Sequence, residues 1–138
     1  MECISCETSI VIDYSNLSIR EIIPTNQIYC EVEGRLTISI GNECIFSEED
    51  ILLLEFAKQL NDWLKNPYLI FSYYSMDYEE GPIIYFEHEA SETCAVGGVW
   101  LDFIYTGVEA SGLIKACKLF IEKIISDLSS RGVDIISF

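Results

Sequence analysis

From Ile28 to Ile40 every even position is apolar or glycine: Ile28, Cys30, Val32, Gly34, Leu36, Ile38 and Ile40. The odd positions are Tyr29, Glu31, Glu33, Arg35, Thr37 and Ser39. Period two over such a length predicts a strand with one face on a core and the other mostly in water. Gly34 in its middle marks a candidate bulge. Upstream, residues 9–22 alternate more loosely through Ile10, Ile12, Tyr14, Leu17 and Ile19. They read as one strand, or as two broken near Ser15-Asn16. Pro24-Thr25-Asn26-Gln27 reads as a turn. Gly41-Asn42 tolerates positive φ and reads as a two-residue hairpin turn into a return strand, Glu43–Phe46.

The period then changes. Leu53, Phe56, Ala57, Leu60, Trp63 and Leu64 fall on one helical stripe. Ser47 with Asp50 has the spacing of a capping box, so the expected helix runs from Ser47 to Asn66, before Pro67. Residues 68–76, Ile83–His88 and Cys94–Tyr105 are rich in β formers, with polar connectors at Asp77–Gly81 and Glu89–Thr93. Gly97-Gly98 interrupts the last of these strands. Gly112–Ser130 carries Leu113, Cys117, Phe120, Ile121, Ile124 and Leu128 on one face, with Gly132 placed as a C-terminal cap. Val133–Phe138 is an apolar tail suited to an edge strand. The expected architecture is α+β, in the order βββ-α-βββ-α, with antiparallel triplets and both helices on one face. Whether the triplets share a sheet stays open.

Composition sharpens this picture. At 138 residues the chain reads as one domain, 1–138, with residues 1–8 a loosely ordered N-terminus. Hydrophobic residues make up 50%, enough for a core. Against 23 Asp and Glu stand eight Lys and Arg, a formal charge of −15. Nucleic-acid binding needs cations to displace phosphate counterions, so no nucleic-acid partner is expected. An anionic membrane is excluded on the same ground. No apolar run exceeds four residues, as at Ile51–Leu54, so no span is expected. The opening Met-Glu-Cys-Ile-Ser-Cys has neither the basic nor the apolar region of a signal peptide, and a cytoplasmic location is the expectation.

The six cysteines are Cys3, Cys6, Cys30, Cys44, Cys94 and Cys117. A reducing compartment predicts free thiols. Cys3 and Cys6 have the spacing of half a zinc site, but no second pair follows, so no metal or cofactor is expected. The single histidine, His88, sits on a predicted strand six residues before Cys94. A hairpin brings the two near each other, yet an ordinary strand histidine is the simpler reading. No Gly-x-Ser-x-Gly elbow and no phosphate-cradling glycine loop occurs, and no catalytic residue is assigned. Asp102 stands between apolar strand residues and reads as a rim position.

What stands out is charge. Residues 66–114 contain no Lys or Arg but eight acids, six of them within 77–92, among ten aromatic side chains. Unneutralised acids beside Tyr and Trp suit a basic protein partner. The candidate partner-binding residues are Asp77, Tyr78, Glu79, Glu80, Glu87, Glu89 and Glu92, with Glu48 and Glu49 as helpers if the first helix starts nearby. A solvated acidic face is the alternative reading. A small carboxylate-dependent enzyme and a structural or homodimeric module also stay open.

The run Phe-Ser-Tyr-Tyr-Ser-Met-Asp-Tyr-Glu-Glu-Gly-Pro-Ile-Ile-Tyr-Phe over 71–86, followed by a strand with Trp100, resembles the small acidic immunity proteins of bacterial polymorphic-toxin and contact-dependent inhibition systems. The resemblance covers roughly residues 28–125. It implies a cytoplasmic protein that binds and neutralises one cognate toxin domain, often a cationic nuclease. It transfers no individual residue, since these families share no catalytic motif.

Overall fold

The structure, a computed structural model, describes residues 2–5, 9–19, 31–89 and 92–135. Three strands, β1 (Glu2–Ser5), β2 (Ile10–Ile19) and β3 (Val32–Ile40), precede β4 (Glu43–Leu52) and helix α1 (Leu53–Trp63). Strands β5 (Phe71–Tyr73), β6 (Ile84–His88), β7 (Thr93–Gly97) and β8 (Phe103–Glu109) lead into helix α2 (Ala110–Ser130). The class is α+β, and the two expected triplets are two separate sheets. One is antiparallel in the order β2-β3-β4; the other has the order β1-β8-β7-β6-β5. In the second, β1 joins the edge parallel to β8, so the N-terminus expected to be loose is partly a strand. The other pairs in that sheet are antiparallel.

Alternation decides which face of each sheet is covered. Ile10, Ile12 and Tyr14 of β2 are buried together with Val32, Leu36, Ile38 and Ile40 of β3. Phe71, Tyr73, Ile84, Phe86 and Val96 do the same for the larger sheet. Both helices pack on these faces: α1 touches β3, β4 and β5, α2 touches β2 and β8, and the helices touch each other. Phe56 of α1 is the hub, with ring centroids 5.0 Å from Tyr73, 5.4 Å from Phe120 and 6.1 Å from Phe71. One continuous apolar cluster results.

Several boundaries differ from expectation. Ser47 caps no helix. Ser47 pairs with Thr37 and Leu52 with Glu33, so β4 continues for six residues past Phe46. The ladder to β3 satisfies backbone groups that a helical first turn would leave open, and it buries Ile51 and Leu52. Long-range pairing thus overrides a local capping signal. At its other end α1 stops at Trp63, and residues 64–66 continue in turns, Asn66 donating to the Trp63 carbonyl at 2.9 Å. The expected strand Cys94–Tyr105 is two strands. At Gly98 a Cβ would lie 1.9 Å from the Ile83 carbonyl oxygen, a close approach that ends β7 and begins the turn to β8. The segment 68–76 contributes only three strand residues. Helix α2 starts at Ala110, two residues before Gly112. Of the apolar tail, Val133 is buried and bonded to the Leu128 carbonyl at 2.9 Å rather than paired as a strand; residues 136–138 lie outside the described residues. So do the Pro24 turn and the start of the Ile28–Ile40 run.

The candidate bulge at Gly34 falls on its neighbours. The register slips on both flanking strands, between Ser15 and Ser18 of β2 and between Glu48 and Ile51 of β4. Each slip contains a non-glycine residue with positive φ, Asn16 at 56° and Asp50 at 58°. Gly34 itself has no room for a side chain: a Cβ would lie 2.7 Å from Leu53 Cδ1 and 2.8 Å from the Ser15 carbonyl oxygen. Its absence of a side chain lets the start of α1 seat against β3.

Candidate partner-binding surface

The bulge on β4 turns Glu48, Glu49 and Asp50 outward, all exposed. They form one wall of a concavity of about 740 Å³; Tyr78 and Trp100 form the opposite wall. A second hollow of about 420 Å³ adjoins it across Arg35, Glu49 and Asp50, and adds Glu33 and Asn16. Among the described residues Arg35 is the one cation in either lining, and it is engaged, 2.6 Å from Glu49 and donating to Ser47 Oγ at 2.8 Å.

The aromatic wall is fixed from several directions. Tyr78 and Trp100 meet edge to face with centroids 4.9 Å apart. Trp100 stacks on buried Phe46 at 6.4 Å and donates its indole N–H to Glu80 at 3.0 Å. Tyr78 donates its hydroxyl to the Asp50 carbonyl at 3.1 Å, which ties the two sheets together. The loop leading to Tyr78 is clamped by α1. Glu55 accepts from the Tyr73 hydroxyl at 2.8 Å and from the Met76 N–H at 3.0 Å. The Gln59 side-chain amide pairs with both backbone groups of Tyr74, at 2.8 and 3.3 Å.

Electrostatics follow from this placement. Burial raises the Tyr78 phenol above its ordinary value, and Asp50, Asp77, Glu33 and Glu48 raise it further. The phenol therefore senses a field summed over four carboxylates from three chain segments. Tyr73 is pushed up by burial and by Glu55.

The candidate residues fall into two groups. Asp77, Glu79 and Glu80 are exposed on the loop with Tyr78 but line neither hollow, whereas Glu48 and Glu49 line the larger one together with Tyr78, delivered by a strand rather than a helix start. Glu87, Glu89 and Glu92 lie at the far end of β6, outside the linings of both hollows. There Glu89 accepts from the Gly107 N–H at 2.9 Å, and the Glu92 carbonyl accepts from the Ala110 N–H at 2.8 Å. The single surface read from residues 77–92 is thus two patches at opposite ends of one strand. Glu33 and Asp50 were missed as members of the first. Glu33 carried a signal, its outward position on β3; Asp50 carried none once it was read as a capping residue. Asp102 is exposed in the β7–β8 turn.

His88 and Cys94 do meet across the β6–β7 pair, with Nδ1 3.6 Å from Sγ. Burial raises the Cys94 thiol above its ordinary value, and Glu89 adds to this, the opposite of an activated thiolate. Among the described residues Cys44, Cys94 and Cys117 are free thiols, and no cluster of three or more His, Cys, Asp or Glu could hold a metal ion. The spacing Cys3–Cys6 reaches outside the described residues. No helix among the described residues is long and apolar enough to cross a membrane.

The fold and the surface together define a two-sheet α+β domain with an acidic, aromatic-walled hollow at the seam of its sheets. By sequence the chain belongs to the family described as a domain of unknown function, DUF7878, which matches residues 11–130. No curated protein and no solved structure matches it.

Proposed function

We propose that this chain is a non-catalytic binding protein of the cytoplasm that neutralises a basic protein partner, a cognate toxin domain, by occluding it. The observation that carries this reading is the Tyr78–Trp100 pair set against Glu33, Glu48, Glu49 and Asp50. Aromatic side chains supply the buried area that dominates interface energies, and the carboxylates supply orientation and on-rate. The distribution of cations supports it. Lys58, Lys65, Lys115, Lys118, Lys123 and Arg131, six of the eight basic residues, lie on the helices or just past their ends. The strands and their loops carry most of the acids, so a basic partner is steered to that side.

The test is charge reversal at Asp77→Lys, Glu79→Lys and Glu80→Lys, measured against a basic toxin domain sought among the products of the neighbouring genes. Folding should persist, since exposed charges contribute little to stability. Association should slow about tenfold or more, and the wild-type rate should fall as salt rises. Unchanged binding and protection in the triple variant, or an acidic partner, overturns the reading.

A further inference from the structure

The segment between α1 and the acidic loop has a different character. Among the described residues eight large apolar side chains are exposed, and five of them are Tyr68, Leu69, Ile70, Tyr74 and Met76. Their relative exposures run from 55% to 77%. They flank β5, the edge strand of the larger sheet. Residues 66–76 contain no charged side chain at all, in a chain of net charge −15. Charges border the segment on both sides: Asp62 of α1 is paired with Lys58 at 3.2 Å and with Lys65 at 3.5 Å, while at the other end Glu55 accepts from the Met76 N–H and Asp77 follows Met76.

We infer that this patch is the contact of a homodimer, formed with a second copy of the chain about a two-fold axis near Ser72. Three observations select that occupant. The first is symmetry within the segment. Ile70 and Tyr74 stand two positions on either side of Ser72, Tyr68 and Met76 four, while Phe71 and Tyr73 point into the core. Antiparallel apposition about Ser72 sets Ile70 against the partner's Tyr74, one at each end of β5, with Tyr68, Leu69 and Met76 at the margins of the contact, the reciprocal pattern an isologous contact requires. The second is charge. The segment offers a basic partner no carboxylate of its own, whereas two strongly acidic copies meet there with less repulsion than at the acidic loop beside it. The third is area. Five side chains this exposed offer roughly 600 Å² per copy, so roughly 1,200 Å² in total, the lower end of specific interfaces. At the Tyr74 end the contact is made by side chains, because Gln59 already occupies both backbone groups of that residue, the first past β5.

Sedimentation velocity on the purified chain tests this, over about 1 to 100 μM. A reversible monomer–dimer equilibrium with a micromolar dissociation constant is expected, and it should tighten when salt is raised from about 0.1 to 0.5 M, because repulsion between the copies is screened. Ile70→Glu with Tyr74→Glu should weaken the dimer at least about tenfold while circular dichroism stays unchanged, since charges buried at an interface must be desolvated. If that variant does not fold, Tyr68→Ser with Met76→Ser, both on exposed side chains, should still weaken it severalfold. The Asp77, Glu79 and Glu80 reversal should leave the dimer intact, so failure here and failure of the partner reading are distinct results. A chain that stays monomeric throughout overturns the proposal and leaves the patch to a different protein. A dimer that survives both apolar variants overturns it as well.

Discussion

Tyr78 and Asp50, 28 positions apart in the chain, are joined by a hydrogen bond of 3.1 Å from the phenol to the backbone carbonyl. Asp50 presents that carbonyl because its φ is 58°, in the left-handed region where a side chain costs about 1 kcal/mol or more. The strained residue, the aromatic wall and the carboxylates occupy one place, a combination more common at working surfaces than in plain scaffolding. Asp50→Gly should therefore raise stability, or leave it unchanged, by up to about 1 kcal/mol. It should also weaken attraction of a basic partner. Chemical denaturation and association rates, measured on the same variant, should move in these opposite directions.

Tyr78 and Trp100 separate the two contributions. Tyr78→Phe keeps the edge-to-face packing and loses one exposed hydrogen bond, so it should cost about 1 kcal/mol of stability or less. Trp100→Ala removes the ring stacked on Phe46 and the partner of Glu80, and should cost about 2 kcal/mol or more of binding if the hollow is the interface. Calorimetry on both variants decides whether the pair anchors a partner or only joins the sheets.

The loop holding Tyr78 depends on two side chains of α1. Glu55→Ala removes the acceptor for the Met76 N–H and for the Tyr73 hydroxyl, and Gln59→Ala frees both backbone groups of Tyr74. Amide hydrogen exchange over residues 74–80 should speed up in either variant. Amides in β3, which neither side chain touches through these bonds, should keep their protection.

How far these features were legible depended on the range of the interaction that made them. The alternation through Val32–Ile40 and the stripe Leu53–Trp63 are local patterns, and both appear as the strand and helix they implied. The Ser47–Asp50 capping signal is local too, and it misled because pairing with β3 satisfied the same backbone groups. The hollow was half legible. Tyr78 and the acids around it announced themselves as a cluster, whereas Trp100, Glu33 and Asp50 join it only through the seam of two sheets. Glu87, Glu89 and Glu92 were grouped with them by nearness in sequence, but β6 carries them to its far end.

Gly34 is a test of the seam itself. The space its missing Cβ would need is held by Leu53 Cδ1 and, less yieldingly, by the backbone oxygen of Ser15. Gly34→Ala should destabilise the fold by about 1–3 kcal/mol, the usual cost of overpacking, despite the gain that alanine normally brings to a strand. Urea titration gives the number, and a neutral result would mean that the bulged strands relax around the new methyl.

Alkaline pH should expose the buried phenol of Tyr73. Burial and Glu55 hold it well above the ordinary tyrosine value of 10.0 in the folded chain, while the unfolded chain titrates near that value. The folded state thus keeps a proton that the unfolded state releases. The stabilisation is complete below pH 10 and is lost as pH rises toward the folded value. Cys117, raised by burial and by nearby Cys94 from an ordinary 9.0, acts in the same direction from a lower starting point. Stability measured by urea midpoint should fall progressively above pH 9, more steeply above 10, with a limiting slope of about 1.4 kcal/mol per pH unit for each fully coupled group. Tyr73→Phe should begin from a lower stability at pH 8, having lost its bond to Glu55, but should lose less between pH 9 and 11. Parallel curves for the two proteins would show that the phenol is not what senses the pH.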